Sequence, residues 1–401
     1  MDQLRFDTLT RTLGTRTNRR AGVLGAIGAM LGLVAAPATN AARKATRRHE
    51  KLACRNAGTP CTIGDECCSG SCVAKPGGTG YRCAKRHAKK KDDRTEKLHC
   101  TVCARGCASS TYSTIEEAVV NAAPGDVVTV GPGTYIPAFG YGDTYGAIRV
   151  TQDITIKACD PDNPPTITGS IDTQSLFLIA IGELDNQASC TTEQPTVVFD
   201  GINFAGDPDL LFSAILVICN ATWTLRNADV SYFRFSAIGS YPALTAFSGN
   251  GMIDSSSIHN NNADGGAGSS AILLYPLTLQ GPPMLSIRDT IIANNQAFYG
   301  AIALYNSGQL VLTGSTSIRD NSSVQDGGGI FIGDDGATVG PQTSLTIVDD
   351  VTITGNTSQA RGGGIATSPE TLVTGATTQT VFGNNAAECL NYFQDPTCIL
   401  N

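Results

Sequence analysis

The chain has 401 residues, of which 41% are hydrophobic, enough for a sizeable core and more than one domain. Its formal charge of -7 conceals an asymmetry: residues 1–99 hold 20 of the 28 Lys and Arg but only 8 of the 35 Asp and Glu, a net +12, and residues 100–401 carry -19. So acidic a body would repel a polyanion, which excludes nucleic acid as a partner for most of the chain.

The N-terminus has the layout of an export signal. A basic stretch ending in Arg19-Arg20 precedes the uncharged run Ala21 to Ala36, and Ala36-Pro37-Ala38 offers a small-residue cleavage site. That run is 16 residues with four glycines, short for a membrane span. The arginine pair before a mild apolar run resembles a bacterial twin-arginine signal, with Thr17-Asn18 and Ala21-Gly22-Val23 matching its flanks loosely. Residues 1–38 are therefore expected to be this signal, with a general secretory signal or an uncleaved anchor as alternatives. Each route takes the chain out of the cytoplasm, so membrane contact is expected only during export. The 14 cysteines fit that destination, since disulfides persist in oxidising compartments.

Residues 39–53 form a basic tether and residues 84–99, with Lys85-Arg86 and Lys89-Lys90-Lys91, a basic linker. Like charges repel and keep such segments extended. Between them, residues 54–83 carry Cys54, Cys61, Cys67, Cys68, Cys72 and Cys83 in a C-x6-C-x5-C-C-x3-C-x10-C pattern. A segment this short and poor in large apolar residues needs cross-links to fold. Six cysteines allow 15 pairings, and spacing does not choose among them. Zinc is the competing reading, but no histidine lies within the pattern. The adjacent Cys67-Cys68 within this spacing resembles the knottins, and the resemblance implies Cys54 with Cys68, Cys61 with Cys72, and Cys67 with Cys83.

Residues 112–135 read as a cap. Ser113 and Glu116 have capping-box spacing, Ile115, Ala118, Val119 and Ala122 form one apolar stripe of a short helix, Pro124-Gly125 stops it, and Val127 to Val130 begins a strand. Short aliphatic runs separated by Gly, Asn and Asp follow, among them Ile154 to Ala158, Thr222 to Leu225, Met284 to Ile287 and Ser344 to Ile347. With no long helix to cross over, their parallel pairing must come from coiling.

A phrase recurs through the last third: an aliphatic residue, two variable ones, an asparagine and then a glycine cluster. It gives Asn261, Asn295, Asn321, Asn356 and Asn384, stepping by 34, 26, 35 and 28 residues. Periods of this length mark a solenoid. The asparagines are expected to be structural, since Asn tolerates left-handed corners and stacks into hydrogen-bonded ladders. Asn220, Asn321 and Asn356 also open Asn-x-Ser/Thr triplets, a glycosylation pattern that a bacterial signal argues against.

The cap and the Asn-to-Gly-Gly-Ile repeats resemble the right-handed parallel β-helix superfamily of pectin-lyase-like proteins, over residues 100–401. The expected fold is thus all-β, a right-handed parallel β-helix with a short helical cap, preceded by the small knottin-like module. Cys389 and Cys398 are expected to close its C-terminal end. Cys100, Cys103 and Cys107 cluster before the cap, within possible reach of Cys159, Cys190 or Cys219, as structural disulfides of open pairing.

The superfamily's enzymes need recognisable tools. Glycosidases require two carboxyls flanking the bond. The polygalacturonase-like branch brings Asn-Thr-Asp, Asp-Asp, Gly-His-Gly and Arg-Ile-Lys motifs, and within residues 100–401 only the Asp-Asp pairs Asp334-Asp335 and Asp349-Asp350 occur, both readable as turns. The sole histidine after residue 99, His259, has no glycine beside it. A lyase needs a base and a cation, which the resemblance would supply as arginine and calcium. Arg226, Arg234, Arg288, Arg319 and Arg361 are the only cations after Lys157 apart from His259, and Arg288-Asp289 and Arg319-Asp320, 31 residues apart, are candidates to stack. Surface ion pairing is the plainer reading. The segment from Tyr232 to Gly251, with aromatics at Tyr232, Phe233, Phe235 and Tyr241, interrupts the repeat and marks a place to look for a groove.

The sequence thus points to an exported, disulfide-stabilised extracellular or cell-surface module, monomeric, without cofactor, that binds a polysaccharide or cell-wall polymer or serves adhesion. The alternative is a polysaccharide lyase or glycoside hydrolase, with calcium only in the lyase case.

Overall fold

In the computed structural model the chain divides into two units, Met1–Glu96 and Lys97–Asn401. The structure describes residues 60–61, 72–74 and 81–83 of the first. Of the second it describes residues 99–103, 109–137, 147–169, 175–179, 194–207, 213–236, 242–264, 270–276, 281–333, 342–368, 371–377, 379–385 and 389–391. The export signal, the basic segments, the three knottin-like pairings and the Cys389 to Cys398 closure lie outside the described residues. In the first unit, Tyr81–Cys83 runs antiparallel between Pro60–Cys61 and Cys72–Ala74.

The second unit is a parallel β-helix. Three long sheets run its length: a first from Ser109–Tyr112 and His99–Val102 through Asp126–Val130 to Leu372–Thr374, a second from Thr134–Tyr135 to Val381–Phe382, and a third from Ile148–Val150 to Cys389–Asn391. A short corner sheet stacks Arg234–Ser236, Asn262–Asp264, Gln296–Ala297, Ser322–Ser323 and Thr357–Ser358.

One coil shows how the sequence makes this shape. Thr222–Arg226 lies in the first sheet, with Trp223 and Leu225 buried inward by alternation. Asn227, at φ 52°, turns the chain through a left-handed residue into Asp229–Ser231 of the second sheet. Tyr232, at φ 64°, turns it again into Arg234–Ser236, and Leu244–Ala246 of the third sheet completes the coil. Asn250–Asp254 then pairs in register on the strand where the coil began. Left-handed backbone costs about 1–2 kcal/mol for most residues, so Asn, Asp, Ser and Gly supply nearly all the corners.

Inward columns fill the solenoid. Val230, Ile258, Ile292, Ile318, Ile353 and Val381 stack through the second sheet, each fully buried. Phe177, Phe199 and Phe204 meet edge to face in the N-terminal coils, with centroids 4.8 to 6.0 Å apart. Trp223 needs the width of two coils. Its indole spreads under Gly251, where any Cβ would collide with the ring.

The helix Ile115–Asn121 covers the first coils and adds Ile115, Ala118 and Val119 to the main core. Its cap lies one residue later than the sequence spacing suggests. Thr114 is the N-cap and accepts from the Glu117 amide at 3.1 Å, while Glu117 reaches back to Ser113. Glu116 sits at the second helical position, one short of where a capping-box carboxylate must lie to return to the cap. At the other end Gln152 Nε2 donates to the carbonyls of Val119 and Ala122 at 2.8 and 3.0 Å. Nearby, Cys100 is bonded to Cys159, closing a loop of 59 residues, and Cys103 and Cys219 are likewise in disulfides.

At the corner between the second sheet and the corner sheet, the repeated asparagines form a continuous ladder inside the protein. Asn295 Oδ1 accepts from the backbone N and the Nδ2 of Asn261, Asn321 does the same for Asn295, Asn356 for Asn321 and Asn384 for Asn356, at 2.9 to 3.1 Å. Each Nδ2 also donates to a second-sheet carbonyl of the coil before, such as Ile292 for Asn321 at 3.0 Å. Phe233 heads the ladder: its amide donates to Asn261 Oδ1 at 3.0 Å and its ring is buried. The stretch beginning at Tyr232 therefore continues the coil, with an aromatic in place of the asparagine. Next to the ladder the backbones close up, and a Cβ at Gly328 would strike the carbonyls of Thr357 and Gly363.

Asn321→Ala strips the acceptor from two buried Asn295 donors and the donor from Ile292. It is expected to cost about 2–4 kcal/mol, against under ~0.5 for Ser322→Ala. Urea unfolding midpoints test this, and a cost for Asn321→Ala no larger than that of Ser322→Ala would refute the ladder's energetic role.

Candidate functional site

The ladder asparagines have no chemistry to offer solvent. Asn261, Asn295, Asn321 and Asn356 are no more than 1% exposed, so Asn321 and Asn356 are also closed to glycosylation as folded. The cysteines of the Cys100-x-x-Cys103 pair are in disulfides, which removes free thiolates for zinc or redox exchange there. Among the described residues, no three His, Cys, Asp or Glu side chains cluster as metal ligands would.

Arg288 and Arg319 do not stack, despite their spacing of nearly one turn. Arg288 ends a strand of the first sheet and faces Thr313, while Arg319 ends a strand of the second and faces Thr354. A coil carries several strands, so equal sequence spacing does not place residues in the same column. Arg319 pairs with Asp320 at 2.9 Å, and Arg361 grips the buried Asp326 through two bonds of 3.0 and 2.9 Å. Asp349 is a corner residue at φ 65° that accepts from the Gly314 amide, while Asp334-Asp335 lies outside the described residues.

Along the outer edge of the first sheet, Lys157, Asp200, Arg226, Asp254 and Arg288 come into register on successive strands with alternating sign. Arg226 meets Asp200 at 3.0 Å, and Arg288 holds Asp254 through two bonds of 3.0 and 2.8 Å. These arginines join coils rather than converge on a reacting centre.

His259 lies outward on the second sheet but is covered. The Asn260 amide nitrogen can only donate, so at 2.8 Å it engages an unprotonated Nδ1. The Nε2 proton then goes to Asp229 Oδ2 at 2.7 Å, and Ser231 donates to Asp229 Oδ1 at 2.7 Å. Serine and histidine thus both address the aspartate. In a nucleophilic triad the histidine stands between the other two, so this order leaves Ser231 unactivated and neither ring nitrogen of neutral His259 free.

A run of buried and half-buried aromatic rings lies elsewhere, on the outer face of the third sheet. From Leu273 to Ala366 that sheet is apolar on both faces: Leu273, Ala303, Phe331 and Ala366 form an outward cluster, with Tyr275, Tyr299 and Tyr305 half-buried against it. The rings make a file along the solenoid. Tyr275 lies 6.5 Å from Phe247 and 5.6 Å from Tyr305, and Tyr299 stacks on Phe331 at 4.4 Å and 23°. The half-buried Phe298 meets Tyr299 edge-on at 4.9 Å and carries the file around the corner. Phe247, Tyr275 and Tyr305 recur at 28 and 30 residues, each just after an inward residue, a signal the sequence held outside the asparagine repeat.

Around that corner the outer face of the corner sheet carries a groove of about 300 Å³. Gln296, Ser322 and Thr357 stand in register along it, and Gln359 and Asn385 join the lining. Among the described residues, no charged side chain lines it.

Arg288 beside Asp254 holds that carboxyl below its ordinary value of 3.8. A lowered folded-state value means stability present above pH 3.8 and lost as pH falls through the folded value. Asp254→Asn is therefore expected to lower the thermal midpoint near neutrality and to melt like the wild type once the carboxyl is protonated. A difference that persists unchanged into strong acid would contradict the pairing.

No protein-family model, curated protein or solved structure matches this chain.

Proposed function

We propose that the chain is exported and acts outside the cell as a polysaccharide-binding β-helix module. The observation that carries this reading is the file of half-buried rings from Phe298 and Tyr299 to Tyr275 on a rigid sheet. Sugar rings present an apolar C–H face bounded by hydroxyls, and Tyr offers the matching apolar face with a polar rim. Rings held by a sheet also lose little entropy on binding. The arrangement of Arg226, Arg288, Arg319 and Arg361 as partners of aspartates supports binding over lyase chemistry. The 14 cysteines and the Arg19-Arg20 signal support an oxidising destination.

The mature chain, screened against plant and microbial polysaccharides with and without calcium, is expected to be retained by at least one without releasing unsaturated or reducing ends. Phe298→Ala combined with Tyr299→Ala should weaken that retention about tenfold, the ~1.4 kcal/mol that loss of stacking is worth. Cleavage of any polymer overturns the binding-only reading. For export, replacing Arg19 and Arg20 by Lys should abolish accumulation outside the cytoplasm, and undiminished export would remove the twin-arginine assignment.

A further inference from the structure

We infer that the groove over the corner sheet seats an uncharged, hydroxyl-rich glycan chain running along the solenoid axis. This rests on the polysaccharide-binding reading and narrows it to one ligand class and one place.

The floor of the groove is fixed. Ser323 and Ser358 both donate to the Gln325 carbonyl at 2.7 Å, and Asn385 is held by the backbone N and O of Ser358 at 2.7 and 3.3 Å. Above that floor, the side chains of Gln296, Ser322, Thr357 and Gln359 make no hydrogen bond among the described residues. All four are neutral, and each both donates and accepts, the same dual capacity that a sugar hydroxyl has. Three of them sit in register on parallel strands, so their polar groups repeat at the strand spacing of about 4.8 Å, a step comparable to one sugar ring.

Charge decides against an acidic chain. Among the described residues no cation lines the groove, and Arg361, two residues beyond Gln359, is committed to Asp326 through two hydrogen bonds. The surrounding 302 residues carry -19, which a uronate polymer would meet as repulsion. The volume of about 300 Å³ suits a short stretch of chain rather than a folded partner. Phe298, directly after the groove residue Ala297, leads from this polar track to the aromatic file, so one glycan can use both.

Affinity electrophoresis of the mature chain in gels holding galactomannan, hydroxyethylcellulose or polygalacturonate tests the inference, with thermal melts confirming that each variant folds. Wild type should be retarded by a neutral polymer, and the retardation should survive added salt. Gln296→Ala combined with Gln359→Ala should weaken it about tenfold, and Thr357→Asp should do at least as much. Retardation by polygalacturonate alone overturns the neutral groove while leaving the polysaccharide reading intact. Neutral retention lost with Phe298→Ala and Tyr299→Ala but unchanged by the groove variants places binding on the aromatic file only, and also overturns it. Retention by no polymer in the wider panel overturns the reading and the inference together.

Discussion

A side-chain amide taken out of water must find partners for both its oxygen and its nitrogen, and the β-helix is organised around five that do. From Asn261 to Asn356 each amide binds the coils on either side of it, and Asn384 closes the ladder on the coil before. The cost of leaving one buried polar atom unpaired is about 1–3 kcal/mol, so a ladder interrupted at any rung is penalised more than its lost bonds suggest. Satisfying it requires the coils to stack in strict register. That register places Ile under Ile in the second sheet, Trp223 under Gly251 in the first, and Gly328 beside Gly363 where backbones touch.

The same register creates the surface. A column inside a parallel stack implies a column outside it, because alternation sends every other side chain to solvent. In the corner sheet the outward columns are amides and hydroxyls, and in the third sheet they are aliphatic and aromatic. Recognition on such a face comes from repetition of ordinary side chains at the strand spacing. Among the described residues, Arg226, Arg288, Arg319 and Arg361 are spread along the stack and each is engaged with an aspartate.

The repeat was legible because a buried amide ladder tolerates only asparagine at its rungs. The left-handed corner falls one residue earlier than expected, on Asn260, Asn294, Asp320, Gly355 and Gly383 rather than on the ladder asparagines themselves. Strand boundaries read from the sequence, such as Ile154 to Ala158 and Ser344 to Ile347, coincide with the structure. Column membership was much less legible. Arg288 and Arg319 have nearly the right separation to be neighbours yet occupy different sheets, since loops of unequal length slide the phase between faces. The Tyr275 and Tyr305 file is hidden in the sequence for a related reason: its period is visible only once the inward residue beside each ring is known. At Tyr232 and Phe233 the sequence pattern breaks where the coil does not, because an aromatic can serve as a corner and a plug.

Alternation of sign along the edge of the first sheet has a consequence for how such a chain can lengthen or shorten. Lys157, Asp200, Arg226, Asp254 and Arg288 attract only because each rung differs from its neighbours. Excising a single coil would bring Arg226 against Arg288 or Asp200 against Asp254, like against like. Removing two restores the pattern. Within this stretch the solenoid therefore obeys a parity rule, in which duplication or deletion of coils in pairs preserves the edge and an odd change does not.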